Sequence, residues 1–213
     1  MKRRLLVVGA ALALVASAGF AQKWEVGGVG GGGFYRNVAV TNPAGSAITG
    51  FQSGPAYGGV IGQNLYRYVS GELRYTYRVN NMKLTGNGGA AGFDALSHVV
   101  HYDFLLHAAP VGAKVRPFAA IGTGVKIFRG TGKESAYQPL SGFALLTKTQ
   151  EWKPLVSAGA GTKFAVSSHV IFRVEFRDYI TPFPKQVIAP APGAKIGGLL
   201  HDYVPMVGIT FTF

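Results

Sequence analysis

The most regular feature of the chain is a two-residue alternation of apolar and polar positions that recurs in eight segments. It is cleanest over residues 72–79, where Leu73, Tyr75, Tyr77 and Val79 alternate with Glu72, Arg74, Thr76 and Arg78. Successive side chains of a strand point to opposite faces, so this pattern predicts a strand with one apolar and one charged face. Residues 170–179 repeat it, with Phe172, Val174 and Phe176 against Arg173, Glu175 and Arg177. Residues 94–107 set Val100, Tyr102, Phe104 and Leu106 against His101, Asp103 and His107. Residues 114–128 set Val115, Ala119, Ile121, Val125 and Ile127 against Arg116, Gly122, Gly124 and Lys126. Residues 153–165 set Val156, Ala158, Ala160 and Phe164 against Lys153, Ser157, Gly159, Gly161 and Lys163. Two early segments are glycine-rich: 23–36 with Trp24, Val26 and Phe34, and 55–65 with Tyr57, Ile61 and Leu65. The last places Tyr203, Val207, Ile209, Phe211 and Phe213 opposite Met206, Gly208, Thr210 and Thr212.

The connections alternate in length. Residues 66–69, 108–113 and 166–169 are short, whereas 37–54, 80–93, 130–152 and 180–200 are long. Short turns at one end and long loops at the other is the pattern of a barrel crossing a bacterial outer membrane. The expected fold is all-β: a closed, antiparallel, up-and-down transmembrane β-barrel of eight strands, with short periplasmic turns and long extracellular loops. Residues 38–41 and 143–147 leave two options, strands extended above the membrane or a fifth hairpin that raises the count to ten.

Alternation alone does not say which face is inside, since a lipocalin-like secreted barrel would hold its apolar face inward. Composition favours the membrane. Charged residues are only 14 % of the chain, against about 25 % in ordinary soluble domains. The polar faces are rich in Gly, Ala and Ser, which suit a narrow filled lumen better than a solvated surface. Trp24, Tyr66, Tyr68 and Trp152 stand near strand ends, where interfacial aromatic girdles belong. Pro117, Pro154 and Pro205 fall inside strands, at places where the membrane boundary is expected. At the start of the chain, Lys2-Arg3-Arg4, an apolar run over 5–15 and small residues up to Ala21 read as a cleaved signal peptide. Cleavage after Ala21 or after Ala18 fits. The expected division is 1–21 signal peptide and 22–213 barrel, in the outer membrane of a Gram-negative-type cell envelope.

The leader, the eight amphipathic segments and the ending Gly208-Ile209-Thr210-Phe211-Thr212-Phe213 resemble small outer-membrane β-barrel proteins, the OmpX type and the membrane domain of OmpA, with the OmpW type a looser relative. The resemblance implies that the barrel-assembly machinery reads Tyr203, Val207, Ile209, Phe211 and Phe213 as its signal. The chain stops at the barrel, so the peptidoglycan tether of OmpA is not implied.

Candidate chemistry is sparse. Gly28-Val29-Gly30-Gly31-Gly32-Gly33 matches a dinucleotide fingerprint in letters. It lacks the strand before and helix after that the fingerprint needs, so a glycine-rich strand is expected. His98 and His101 face opposite ways on a strand, and His101 with Asp103 lacks a third ligand, so no metal site is expected. Ser157 sits in no nucleophile elbow, and His201 and Asp202 point apart as strand neighbours. No cysteine is present. The expectation is therefore no enzyme, no cofactor and no metal.

The inward charges are the informative cluster. Glu25, Glu72, Asp103 and Glu175 share the polar face with Arg74, Arg78, Arg116, Lys126, Lys153, Lys163, Arg173 and Arg177. Buried charges must pair. The expected lumen network is Glu72, Arg74, Asp103, Arg116, Arg173 and Glu175, a plug and not a pore. The chain as a whole carries 21 Lys and Arg against 9 Asp and Glu. The excess is expected at an outer rim of Arg78, Lys126, Lys153 and Arg177, joined by Arg36, Lys83, Arg129, Lys133, Lys148, Lys185 and Lys195 in the loops. That rim would meet lipopolysaccharide or a similar anionic glycolipid, with no nucleic-acid partner, in a monomeric barrel. The expected role is structural or interactive. The alternatives are a narrow channel or transporter for small solutes and a secreted soluble binding barrel.

Overall fold

The computed structural model describes residues 23–135 and 137–213; the signal-peptide reading lies outside them. No helix occurs among the described residues. The strands in chain order are β1 (Trp24–Tyr35), β2 (Val38–Asn42), β3 (Gly45–Phe51), β4 (Gly54–Tyr66), β5 (Val69–Val79), β6 (Met82–Gly86), β7 (Gly89–Phe93), β8 (Ala95–His107), β9 (Val115–Gly130), β10 (Ala144–Leu146), β11 (Gln150–Ala165), β12 (Val170–Pro182), β13 (Ile188–Pro190), β14 (Lys195–Ile196) and β15 (Leu199–Thr212).

Eight of them close a barrel in the order β1-β15-β12-β11-β9-β8-β5-β4, and every neighbouring pair is antiparallel. The closing seam joins the first strand to the last: Trp24 N–H donates to Phe213 O at 2.9 Å. The alternation keeps its faces throughout. Tyr75, Phe104, Phe176 and Ile209 are 43, 54, 44 and 53 % exposed, while Arg74 and Arg173 are 1 and 0 % exposed. Apolar side chains thus ring the outside and charges fill the middle, the arrangement of a barrel in lipid. A soluble barrel with its apolar face inward is excluded by the same exposures. Pro117, Pro154 and Pro205 all lie within strands. The β1–β15 ladder runs from Glu25↔Thr212 to Gly31↔Met206, lapses opposite Pro205 and resumes at Phe34↔Tyr203; proline has no N–H to donate.

The long loops are not irregular. β2–β3 and β6–β7 are hairpins that join β14 in a five-stranded sheet of order β14-β2-β3-β6-β7, and β10 pairs β13. Both hairpins turn on two residues, Pro43-Ala44 and Asn87-Gly88, and return on glycines of positive φ, Gly45 at 140° and Gly89 at 123°. Glycine enters that region without strain. Residues 38–41 and 143–147 thus belong to neither a ninth nor a tenth barrel strand. They help build a cap whose apolar core includes Val40, Phe51, Met82, Leu84, Leu146, Ile188 and Leu200 from the loops and strand ends and Tyr35 and Phe128 from the barrel. Phe51 lies between Tyr35, a tilted contact at 5.1 Å between ring centroids, and Phe128, a stacked one at 5.2 Å. The cap is in effect a second small hydrophobic core seated on the outer end of the barrel.

Because Phe51 is fully enclosed, Phe51→Ala is expected to cost the cap about 3–5 kcal/mol. Limited proteolysis should then cut the outer loops much faster, while the boiling-dependent gel shift of the barrel persists.

Candidate functional site

The polar faces of the strands meet in a column of charges along the barrel axis. At its lower end, Lys163 Nζ lies 2.7 Å from Glu25 and 2.7 Å from Glu72, and Thr210 Oγ1 donates to Glu25 at 2.7 Å. Arg173 reaches Glu72 at 2.9 Å and Glu175 at 3.0 Å. Glu175 also takes Arg74 and, at 3.3 Å, Arg177. Arg177 pairs with Asp103 at 2.6 Å, and His101 Nδ1 stands 2.9 Å from the same carboxylate. The upper tier is Asp202, which holds Arg78 at 2.8 Å and Lys126 at 2.6 Å. Lys126 and Asn80 both donate to Tyr35 Oη at 3.0 Å, which joins the column to the aromatic stack of the cap. Phe118 offers its ring to Arg173, Arg177 and Lys163 at 5.6, 5.8 and 5.9 Å, close enough for cation–π attraction.

Inward glycines make this fit. An added Cβ on Gly33 would fall within the Arg78 guanidinium, one on Gly122 against Asp103, and one on Gly159 against Arg177. The bare positions are the space that the long side chains of neighbouring strands occupy.

Five of the six expected network residues come together: Glu72, Arg74, Asp103, Arg173 and Glu175. Arg116 does not join them. Its cross-strand neighbour Lys163 takes the nearby carboxylates, and Arg116 instead donates to Asn64 Oδ1 at 2.8 Å and Ala109 O at 3.2 Å, tying down the periplasmic turns. The expected outer rim needs a larger correction. Arg78, Lys126 and Arg177 are fully buried and paired, because the cap covers the mouth and Asp202 faces inward. Lys153 is mostly covered and pairs with Glu151 at 2.6 Å. Asp202 and Glu151 are the carboxylates that the sequence reading missed. Both lie near strand starts, and β15 and β11 begin at Leu199 and Gln150, earlier than the alternation suggested; continued parity would have turned both inward.

The remaining candidates fall as their parity dictates. His98 faces out and meets Tyr75 Oη at 2.8 Å, and His107 faces in and meets Ser70 at 2.7 Å. The glycine run of residues 28–33 is strand β1. Among the described residues no group of three or more His, Cys, Asp or Glu is placed to hold a metal. His201 and Asp202 point apart, and His201 Nδ1 instead meets Asp178 at 2.7 Å on the outer surface.

Nine Lys and Arg are exposed among the described residues: six at the cap end, Arg36, Arg129, Lys133, Lys148, Lys185 and Lys195, and three at the end of the short turns, Lys23, Arg67 and Lys114. Among the described residues of the cap end, only Asp94 and Glu134 are exposed acids.

No known family profile matches the sequence, and no curated protein is similar to it in sequence. Solved structures are similar in fold. Neisserial surface protein A superposes with a TM-score of 0.55 at 10 % identity, over 89 % of this chain and 97 % of that one. The outer membrane protein OprG from Pseudomonas aeruginosa gives 0.56 at 12 % identity, over 91 % and 96 %. The outer membrane protein AlkL, solved in lipid bilayers, gives 0.52 at 11 % identity, over 92 % and 93 %. The chain has the fold of small outer-membrane β-barrels.

The Asp202 tier provides a direct test of the column. Asp202→Asn leaves Arg78 and Lys126 buried without a counter-charge, and is expected to cost about 3–5 kcal/mol in urea unfolding from detergent micelles. The triple change Arg78→Met, Lys126→Met, Asp202→Leu should recover most of that loss.

Proposed function

We propose that this protein is a structural and interactive barrel of a Gram-negative-type outer membrane, closed to axial flow, whose cap presents a fixed basic surface to the phosphates of anionic glycolipid. One observation carries the reading: six of the nine exposed Lys and Arg among the described residues stand around the cap, at the end where glycolipid headgroups stand. Each lysine near an anionic membrane surface contributes about 1 kcal/mol of attraction, and several at one end of the barrel act together. The cell's barrel-assembly machinery is the partner proposed for folding, acting on the lipid-facing residues Tyr203, Val207, Ile209, Phe211 and Phe213, four of which are exposed and Tyr203 partly so.

The closed lumen disfavours the channel reading. Ion pairs crowd the lumen and an apolar core covers their outer end, which supports a plug over a pore. The purified barrel in planar bilayers should show no steady conductance, and a steady open current would refute the plug. Changing Lys133, Lys148, Lys185 and Lys195 together to Gln should weaken binding of lipopolysaccharide to the solubilised barrel on the order of 100-fold at low salt. Unchanged binding would sink the glycolipid reading.

A further inference from the structure

Arg116 is a buried cation without a counter-charge. It is 6 % exposed and makes no ion pair among the described residues. Its guanidinium donates instead to three neutral oxygens of the turn end: Nε to Ala109 O at 3.2 Å, Nη1 to Asn64 Oδ1 at 2.8 Å and Nη2 to Arg67 O at 3.4 Å. A guanidinium has five N–H donors, so each terminal nitrogen keeps a hydrogen beyond these bonds.

The register makes the position less favourable still. Arg116 on β9 is paired with Lys163 on β11, and like charges directly opposite each other are destabilising. Lys163 has its own partners, Glu25 and Glu72, each at 2.7 Å. Glu25 also takes Arg173 at 3.3 Å and Thr210 at 2.7 Å, and Glu72 takes Arg173 at 2.9 Å. Both carboxylates are thus engaged by other donors.

Arg116 and Lys163 line one cavity of about 40 Å³ at the periplasmic mouth, together with Glu25, Asn64, Ala113 and Thr212, among others. One water needs about 10–15 Å³ of such space, so the cavity has room for a few waters or for one compact ion. Water would complete the hydrogen bonds and leave the charge uncancelled, and an uncancelled buried charge is costly. A small anion does both. At the entrance Lys23, Arg67 and Lys114 are exposed, and among the described residues of that end no Asp or Glu is. The field at the mouth therefore draws anions in.

We propose that this cavity is a binding site for one small inorganic anion of halide size, held between Arg116 and Lys163. The site is independent of the glycolipid reading, since it lies at the opposite end of the barrel and uses none of the cap cations. The anion balances Arg116 and offsets the repulsion between the two facing strands. Because Arg116 also holds Ala109 O and Arg67 O, the bound ion steadies two periplasmic turns at once.

The test uses the full barrel in detergent, with bromide as the probe. Crystals grown in sodium bromide should give one anomalous peak in the cavity, beside Arg116. In solution, exchanging gluconate for bromide at constant ionic strength should raise the urea midpoint of the parent, because a ligand of the folded state stabilises it. Arg116→Gln, which removes the charge, should lose the peak and weaken bromide at least about tenfold. Ala165 stands on the wall of the same cavity; Ala165→Leu fills the space without touching the guanidinium and should also lose the peak, which keeps the test decisive if Arg116→Gln folds poorly. Arg116→Lys restores the charge and should keep it. The boiling-dependent gel shift reports folding of each variant. Changing Lys23, Arg67 and Lys114 together to Gln should leave the peak in place. The proposal fails if the parent cavity holds water only, or if bromide stabilises Arg116→Gln as it does the parent. It fails equally if only the triple variant loses the bromide effect, which would assign that effect to diffuse attraction at the surface.

Discussion

The structure depends on carboxylates that are shared across the barrel. Glu72 on β5 is held by Lys163 of β11 and Arg173 of β12, and Asp202 on β15 is held by Arg78 of β5 and Lys126 of β9. Each link runs between strands that are not neighbours in the sheet order. Breaking one leaves a full charge in a dry interior, which is far worse than never having placed it there. The column thus fixes strand count and register, because a slip by one residue would turn every charge into lipid and every aromatic into the lumen. It is weak evidence for large net stability, since desolvation offsets much of the attraction; its contribution is to the choice of one closed geometry over others.

Charge pairing also accounts for the glycine content. An eight-stranded barrel is just wide enough to be filled by side chains, and eight long basic residues do not fit beside large neighbours. Gly33, Gly122, Gly159, Gly161 and Gly208 lie against Arg78, Asp103, Arg177, Glu175 and Arg173. The glycine-rich segments and the charged segments are two halves of one packing solution, which is why β1 and β11 look poor in side chains while β5 and β12 look rich in charge.

How much of this was legible in the sequence follows from range. The eight barrel strands and their faces were readable because alternation is local and a membrane barrel has only two environments. Eight long amphipathic runs leave little freedom in order or pairing. The cap was not readable from periodicity. Residues 38–42 are too short a run to declare a face, and 144–146 find their partner strand only at 188–190. Its hairpin turns did carry a local signal, Asn-Pro-Ala-Gly at 42–45 and Gly-Asn-Gly-Gly at 86–89. The misplaced basic rim has the same origin. With Asp202 at the start of the last strand but left out of the inward charges, Arg78 and Lys126 lacked a partner and were assigned to the outer rim; one carboxylate turned inward reverses that assignment for both.

The cap changes what the exposed charges can do. Cations on floppy loops lose conformational freedom when they bind a surface, and that loss offsets much of the attraction. Here parts of the loops are paired into sheets around a common core that packs on Tyr35, and Tyr35 accepts from Lys126, which is held by Asp202. The line of contact therefore runs unbroken from the buried ion pairs to the surface that bears the free ones. The same buried network that fills the lumen thereby also supports the packed outer end.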